Sequence, residues 1–407
     1  MRICMVTTFY PPYHFGGDAT YVSALSHALI ARGHSVEVIH CEDAYHLTNK
    51  SSQSVVSDQL DDGVVVHRLK DRTGFLSPLI TQQTGRPGLK SSALKAILEQ
   101  DFDVVNFHNI SLIGGPAILS LSRASVTLYT LHEHWLLCPT HIFWKNKRHA
   151  CDKAECFMCC IRSHIPPQLW RYTGLIKRSL RHVDALISPS EYTADLHREK
   201  GISVPINVIP LFSTLDPGEE SQYRKGGRPR FLFVGRVTAS KGVVSLTNYF
   251  SKHPEYDLII VGDGNLLASM RKQFSGFSHI RFCGKIPQPD LIELYQQATA
   301  LLFPSLAPET FGLSVVEAFA CSTPAIVRDG SGGSSELIQQ TGAGFVYRSE
   351  TELGEALEQL ANNPARRETL GAKARRAYCT RFTPDRHVDA YLGQIASIQS
   401  GKPLAVH

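Results

Sequence analysis

The sequence predicts an α/β protein made of two doubly wound, Rossmann-like domains, and three observations carry that expectation. Short β-rich runs alternate with amphipathic helical stretches along nearly the whole chain. The alternation stops at one polar stretch, DPGEESQYRKGGRPR (residues 216–230), and then restarts. The strand-like runs are apolar without polar alternation, which suits parallel strands covered by helices on both faces. At 407 residues the chain is also too long for one core of ordinary size.

The elements follow in order. RICMVTT opens the chain as a strand. Residues 18–32 have Val22, Leu25 and Leu29 at helical spacing and stop at Gly33. SVEVIH, VVVHRL, DVVNFH, SVTLYTL and VDALISPS continue the sheet of a first domain, expected over 1–205. After the polar stretch, which reads as a linker, RFLFVGR, DLIIVGDG, HIRFCGK, TALLFPS, PAIVRD and AGFVYR give the strands of a second domain, 206–383. Residues 384–400 read as a helix with one apolar face, expected to pack back on the first domain. A ligand of such a chain belongs at the carboxyl ends of the strands, in the cleft between domains.

Composition narrows the function. With 43% hydrophobic and 19% charged residues, both halves can build cores without staples. The net charge of +5 is mild; it suits an anionic small molecule or an anionic membrane surface. It is too diffuse for a nucleic-acid partner, and no nucleic-acid-binding motif is present. No apolar run is long enough to span a bilayer, and the opening MRICMVTTFYPPYHFGG lacks the apolar core of a signal peptide. The expected location is the cytoplasm, including the inner face of a membrane, where the ten cysteines stay mostly reduced.

The stretch PETFGLSVVEAFACSTP (308–324) holds two glutamates, Glu309 and Glu317. Both can be plain solvated residues. A hydrolytic acid/base pair is excluded by distance, because eight residues of helix rise about 12 Å. Leu313, Val316 and Phe319 have helical spacing, so the helix begins near Gly312 and Glu309 precedes it. The first-turn amides then form a phosphate-holding end between the two acids. Glu309 can accept hydrogen bonds from a sugar, Gly312, Leu313 and Ser314 can hold phosphate oxygens, and Glu317 can bind a ribose diol. Such a ligand is a nucleotide-sugar.

ETFGLSVVEA resembles the E-x7-E signature of the retaining glycosyltransferases of family 4, which have the GT-B fold. FVGRVTASKG, VGDG, FCGKIPQPDLIELYQQATALLFPS and GSGGSSELI resemble further elements of that family in its order. FYPPYHFGGDATYVSALSHAL resembles its N-terminal glycine loop, and YTLHEHW its His-acid strand end. The resemblance implies a hexosyltransferase that needs no catalytic metal and moves a sugar from a UDP- or GDP-sugar to a saccharide or lipid-linked acceptor, in cell-envelope polysaccharide or glycoconjugate synthesis. It implies catalytic roles for His132, Glu309, Arg236 and Lys241. Donor contacts fall to Gly16, Gly17, Arg236, Lys241, Gly284, Lys285, Ile286, Glu309, Phe311, Gly312, Leu313, Ser314 and Glu317. His108 is a secondary candidate on the acceptor side.

Two departures from the family pattern stand out. Ser322 occupies a position where Gly is usual, tolerable if its φ is negative. IPLFSTLD replaces a Pro-Asn-Gly turn. The alternatives are a GT-B nucleotide-sugar epimerase and a catalytically silent GT-B scaffold. Long loops at 73–88 and around the cysteines favour an acceptor over the epimerase, and retention of Arg236, Lys241, Glu309 and Glu317 disfavours the scaffold.

Three further features stand outside these motifs. Cys138, Cys151, Cys156 and Cys159 have spacing open to a structural zinc, with His141 and His149 as other ligands, or to a set of reduced thiols. WRYTGLIKRSLRH (170–182) mixes Trp170, Leu175, Ile176 and Leu180 with basic residues; it reads as a core helix or as a helix lying on an anionic membrane. Asp101 and Asp103 read as a strand entry and not as a metal site.

Overall fold

A computed structural model describes residues 1–48, 62–218 and 228–401. Most of the expected linker, 219–227, lies outside the described residues. The chain divides into two compact units: 1–141, 155–210 and 384–407 in one, 142–154 and 211–383 in the other.

The first unit is a parallel sheet of seven strands. These are β1 (Arg2–Val6), β2 (Ser35–Cys41), β3 (Val65–Leu69), β4 (Val104–Phe107), β5 (Val126–Thr130), β8 (Ala185–Ser188) and β9 (Ile206–Val208). A two-residue hairpin, β6 (Trp144–Lys145) and β7 (His149–Ala150), intervenes in sequence and is counted with the second unit. The order β3-β2-β1-β4-β5-β8-β9 reverses direction at β1 and β4, the arrangement of a doubly wound sheet. Central strands such as β4 and β5 are buried along their whole length, which is why their sequences show no polar alternation. β9 was not anticipated from sequence. It pairs with β8, so the unit ends at 210 and not at 205.

The second unit repeats the plan with six parallel strands, ordered β12-β11-β10-β13-β14-β15. They are β10 (Arg230–Val234), β11 (Asp257–Val261), β12 (Ile280–Gly284), β13 (Ala300–Phe303), β14 (Ala325–Arg328) and β15 (Gly344–Tyr347). Close backbone approaches fix its glycines. A Cβ on Gly262 would stand 1.9 Å from the Gly235 carbonyl oxygen, so the VGDG turn packs directly on the loop after β10.

The last helix, Pro384–Ser400, packs within the first unit on the helix Gly17–Ala31. Arg32 binds Asp385 and Asp389, and Tyr21 meets His387. His387 Nδ1 lies 2.7 Å from the Pro210 carbonyl oxygen, which only accepts; the ring therefore donates there and accepts from Tyr21 at Nε2. Residues 76–84, expected within a loop, form the helix Leu76–Thr84. Among the described residues no helix is long and apolar enough to cross a membrane.

Candidate functional site

In the second unit the structure gathers the charged residues that the sequence singled out. β10 ends at Val234, and the loop beyond it carries Arg236 and Lys241. Gly242 follows with φ +69, and a Cβ there would meet the Pro304 carbonyl oxygen at 2.0 Å. Only glycine fits, and the fit holds Lys241 against the end of β13. Lys241 Nζ donates to Glu309 Oε1 at 2.7 Å and sits 5.7 Å from the Phe303 ring centre. The Ser305 hydroxyl donates to the same carboxylate oxygen at 2.8 Å.

Glu309 itself is fixed by its backbone. Its N–H bonds the Ser331 carbonyl and its carbonyl accepts from Gly333, each at 2.9 Å. Burial pushes its carboxyl upward, but Lys241, Ser305 and Arg236 outweigh that and hold it below the usual range. Glu309 is therefore a carboxylate at neutral pH.

The helix Leu313–Ala320 begins at Gly312, as the spacing indicated. Gly312 has φ +151, and a Cβ would come within 2.8 Å of Ser334 Oγ. Phe311 is buried, while Leu313 and Ser314 are half-buried at the helix start, where first-turn amides lack helical partners. Glu317 lies one turn in and is 8% exposed. Tyr295 Oη donates to its Oε2 at 2.7 Å, and Gln288 Nε2 to its Oε1 at 3.3 Å. Burial raises the Glu317 carboxyl to about 7, against downward pulls from Tyr295 and Gln288. Gln288 comes from the connection after β12, which ends at Gly284 and continues through Lys285 and Ile286, so that connection reaches Glu317.

Three partners here were not singled out from sequence: Ser305, Tyr295 and Gln288. Tyr295 had a readable signal, since a tyrosine on the buried face of an apolar helix needs a partner for its hydroxyl.

In the first unit, His132 follows β5 and its Nε2 lies 2.9 Å from His108 Nδ1. Tyr21 stands edge-on to it at 4.9 Å. Burial lowers the His132 imidazole to about 4, against an upward pull from Asp18, so the ring is neutral at pH 7. Gly16 and Gly17 are exposed at the start of the helix that carries Asp18 and Tyr21. Gly16 is extended (φ −148), so its backbone does not require glycine. His108 is 1% exposed and held well below its usual pKa by burial and by His132. Its Nδ1 faces His132 and its Nε2 lies 3.3 Å from Met5 Sδ.

The cysteines and the stretch 170–182 can be placed as well. Cys138 faces Thr140, Cys151 the Lys153 carbonyl, and Cys159 lies by Ser163, all as free thiols. Burial, then neighbouring sulfurs, raise the thiols of Cys156 and, to about 11, Cys160. Cys138, Cys156, Cys159 and Cys160 lie near enough for their sulfurs to act on one another, and among the described residues no group of three or more His, Cys, Asp or Glu side chains is placed to hold a metal ion. The stretch 170–182 packs its apolar stripe into the core and leaves Tyr172, Lys177 and Arg178 exposed. Trp170, Leu175 and Leu180 are buried, and Arg171 lies between Trp135 and Trp170, at 5.1 and 4.8 Å from their ring centres.

Comparisons with known proteins agree with the two-unit fold. Residues 15–213 match the family model for Glycosyltransferase Family 4, and residues 219–377 that for Glycosyl transferases group 1. The O-antigen chain mannosyltransferase C of Escherichia coli is 24% identical over 99% of this chain and 100% of its own length. Among solved structures, sucrose-phosphate synthase from Thermosynechococcus elongatus aligns with a TM-score of 0.72 at 18% identity, covering 98% of this chain and 100% of that one. The Anabaena protein HepE, solved in complex with UDP and glucose, gives 0.67 at 16% identity, with 98% and 100% covered.

Proposed function

Because the chain belongs to the family 4 glycosyltransferases of GT-B fold, we propose that it moves a sugar from a nucleotide-sugar to a saccharide or lipid-linked acceptor with retained anomeric configuration. The setting is polysaccharide or glycoconjugate synthesis, supported by the likeness to the O-antigen mannosyltransferase. The observation that carries the reading is the cluster of Arg236, Lys241 and Glu309 next to the open helix start at Gly312, with Glu317 one turn beyond. The complex of HepE with UDP and glucose supports a uridine or related diphosphate donor.

The chemistry follows from charge. As the bond from the sugar C1 to the diphosphate oxygen breaks, its electron pair goes to the diphosphate. Arg236, Lys241 and the helix amides oppose that growing charge without a metal. The acceptor hydroxyl attacks from the face the diphosphate leaves, through an oxocarbenium-like state, and gives its proton to a diphosphate oxygen. Glu309, ionised and fixed by its backbone, accepts hydrogen bonds from the donor sugar. Glu317 accepts from the ribose diol in its ionised form. His132 enters as a neutral imidazole able to hydrogen-bond a sugar hydroxyl.

The test is turnover of UDP- and GDP-sugars with a chelator present, following nucleoside diphosphate release and the anomeric proton signals of the product. Retained configuration, with release lost in Lys241→Ala, is the expected result. An inverted product overturns the mechanism. Conversion of donor sugar to an epimer without acceptor replaces the reading with the epimerase.

A further inference from the structure

The large hydrophobic side chains left on the surface are not scattered. Among the described residues, nine of the thirteen that are exposed fall in just two segments, 75–89 and 157–172. The two segments meet within the first unit. The helix Leu76–Thr84 packs on the turn Leu169–Thr173, and Trp170 Nε1 donates to the Gln82 carbonyl at 2.8 Å. The Tyr172 hydroxyl lies against the Phe157 backbone and close to Cys156 and Cys160. The helix Cys156–Arg162 is turned the unusual way round: it buries Cys159 and Cys160 and exposes Phe157 and Ile161 at 45% and 47%. Leu169 and Tyr172 beside it are 62% and 66% exposed. Water alone does not favour such a surface, and a grouped apolar patch on a soluble face marks an interaction.

We propose that this face is a docking surface for an anionic lipid bilayer. Charge selects that occupant. Residues 76–95 and 156–183 contain no Asp or Glu at all. Exposed Arg86, Arg162, Lys177 and Arg178 come from the same two stretches. Exposed cations in the same stretches as protruding Leu, Ile, Phe and Tyr side chains complement acyl chains under phosphate headgroups. A protein partner with an apolar hot spot would not require both stretches to lack carboxylates.

The surface differs from the one the sequence pointed to. Trp170, Leu175 and Leu180, the apolar stripe visible at helical spacing, hold the face together from inside. The side chains that meet the lipid are their neighbours Leu169 and Tyr172, joined by residues from two other elements. The proposal stands on exposed surface and holds whether or not the chain transfers a sugar.

The experiment is flotation of the full chain with vesicles of phosphatidylcholine alone and with vesicles rich in phosphatidylglycerol. Wild type is expected to float with the anionic vesicles and to be released by high salt. Leu169→Asp with Tyr172→Asp, at exposed positions, should abolish flotation while leaving thermal unfolding unchanged. Neutralising Arg162, Lys177 and Arg178 should weaken partitioning by roughly fivefold per residue. Equal flotation with neutral vesicles, or none with either, overturns the proposal. So does unchanged flotation of the double variant. Concentration-dependent dimers that the same double variant dissolves would assign the face to a second copy of the chain instead.

Discussion

Glu309 and Glu317 stand at two ends of one short segment, the first half-buried and the second buried, and their surroundings push them opposite ways. Glu309 has Lys241 at 2.7 Å and Arg236 nearby, and its carboxyl is held low. Glu317 has only the neutral donors Tyr295 and Gln288, and burial carries it to about 7. Burial disfavours the charge in both cases, so the neighbouring cation decides the outcome. The loop at Glu309 is built around a permanent charge pair. The helix at Glu317 holds a carboxyl that ionises near neutral pH and gains from a ligand's hydroxyl donors.

The sharpest way to break this comparison is to neutralise each acid in turn. Glu309→Gln leaves Lys241 without its carboxylate and should destabilise the fold by about 1–3 kcal/mol at pH 7, read by urea unfolding. The sign follows from linkage: a lowered carboxyl contributes stability above its unfolded pKa and loses it as pH falls through the folded value. The same variant should remove most donor turnover.

Glu317→Gln should do the reverse for stability. Its raised carboxyl makes the folded state bind a proton more tightly than the unfolded state between the ordinary value of 4.5 and about 7, so stability falls as pH rises through that window. At pH 8 the variant should therefore unfold later than wild type, by up to about 3 kcal/mol, and at pH 4 the difference should vanish. Donor binding should weaken despite the gain. Equal stability changes in both variants would contradict the comparison.

Tyr295→Phe sharpens it further. Without that hydroxyl the Glu317 carboxylate loses its shorter donor, so the pH midpoint of donor binding should move up while binding at pH 9 stays near wild type. A uniform loss at all pH values would show a packing role only.

The smallest effect is expected at the far end of the same helix. Ser322 has φ +57, so the condition under which serine is harmless there is not met. It closes the helix with bonds from Ser322 N to the Phe319 carbonyl and Thr323 N to the Ala318 carbonyl, the position where glycine is at ease. Ser322→Gly should raise stability by about 0.5–1 kcal/mol in urea unfolding, with donor binding unchanged.

These residues also show what a sequence can carry. The strands were legible because buried parallel strands are written as apolar runs bounded by glycines, as in FLFVG and LIIVGDG. The helix start at Gly312 was legible from local spacing. Short β9 left too little pattern to see, and the helix Leu76–Thr84 hid among Thr, Gln and Pro. Glu317's state was out of reach because Tyr295 comes from another helix, Leu291–Gln297, and only folding brings the two together. The stretch 170–182 left two readings open for a related reason: periodicity reveals an apolar face but not what covers it.

The most direct test of the account is a calorimetric titration of wild type with UDP, GDP and their sugars in the presence of a chelator, repeated with Arg236→Ala and Glu317→Ala. The account predicts saturable, metal-independent binding of one nucleotide class, weakened at least tenfold in each variant, consistent with loss of a charged hydrogen bond. Folded wild type that binds none of them, or variants that bind as well as wild type, would contradict the assignment of these residues to a nucleotide-sugar site.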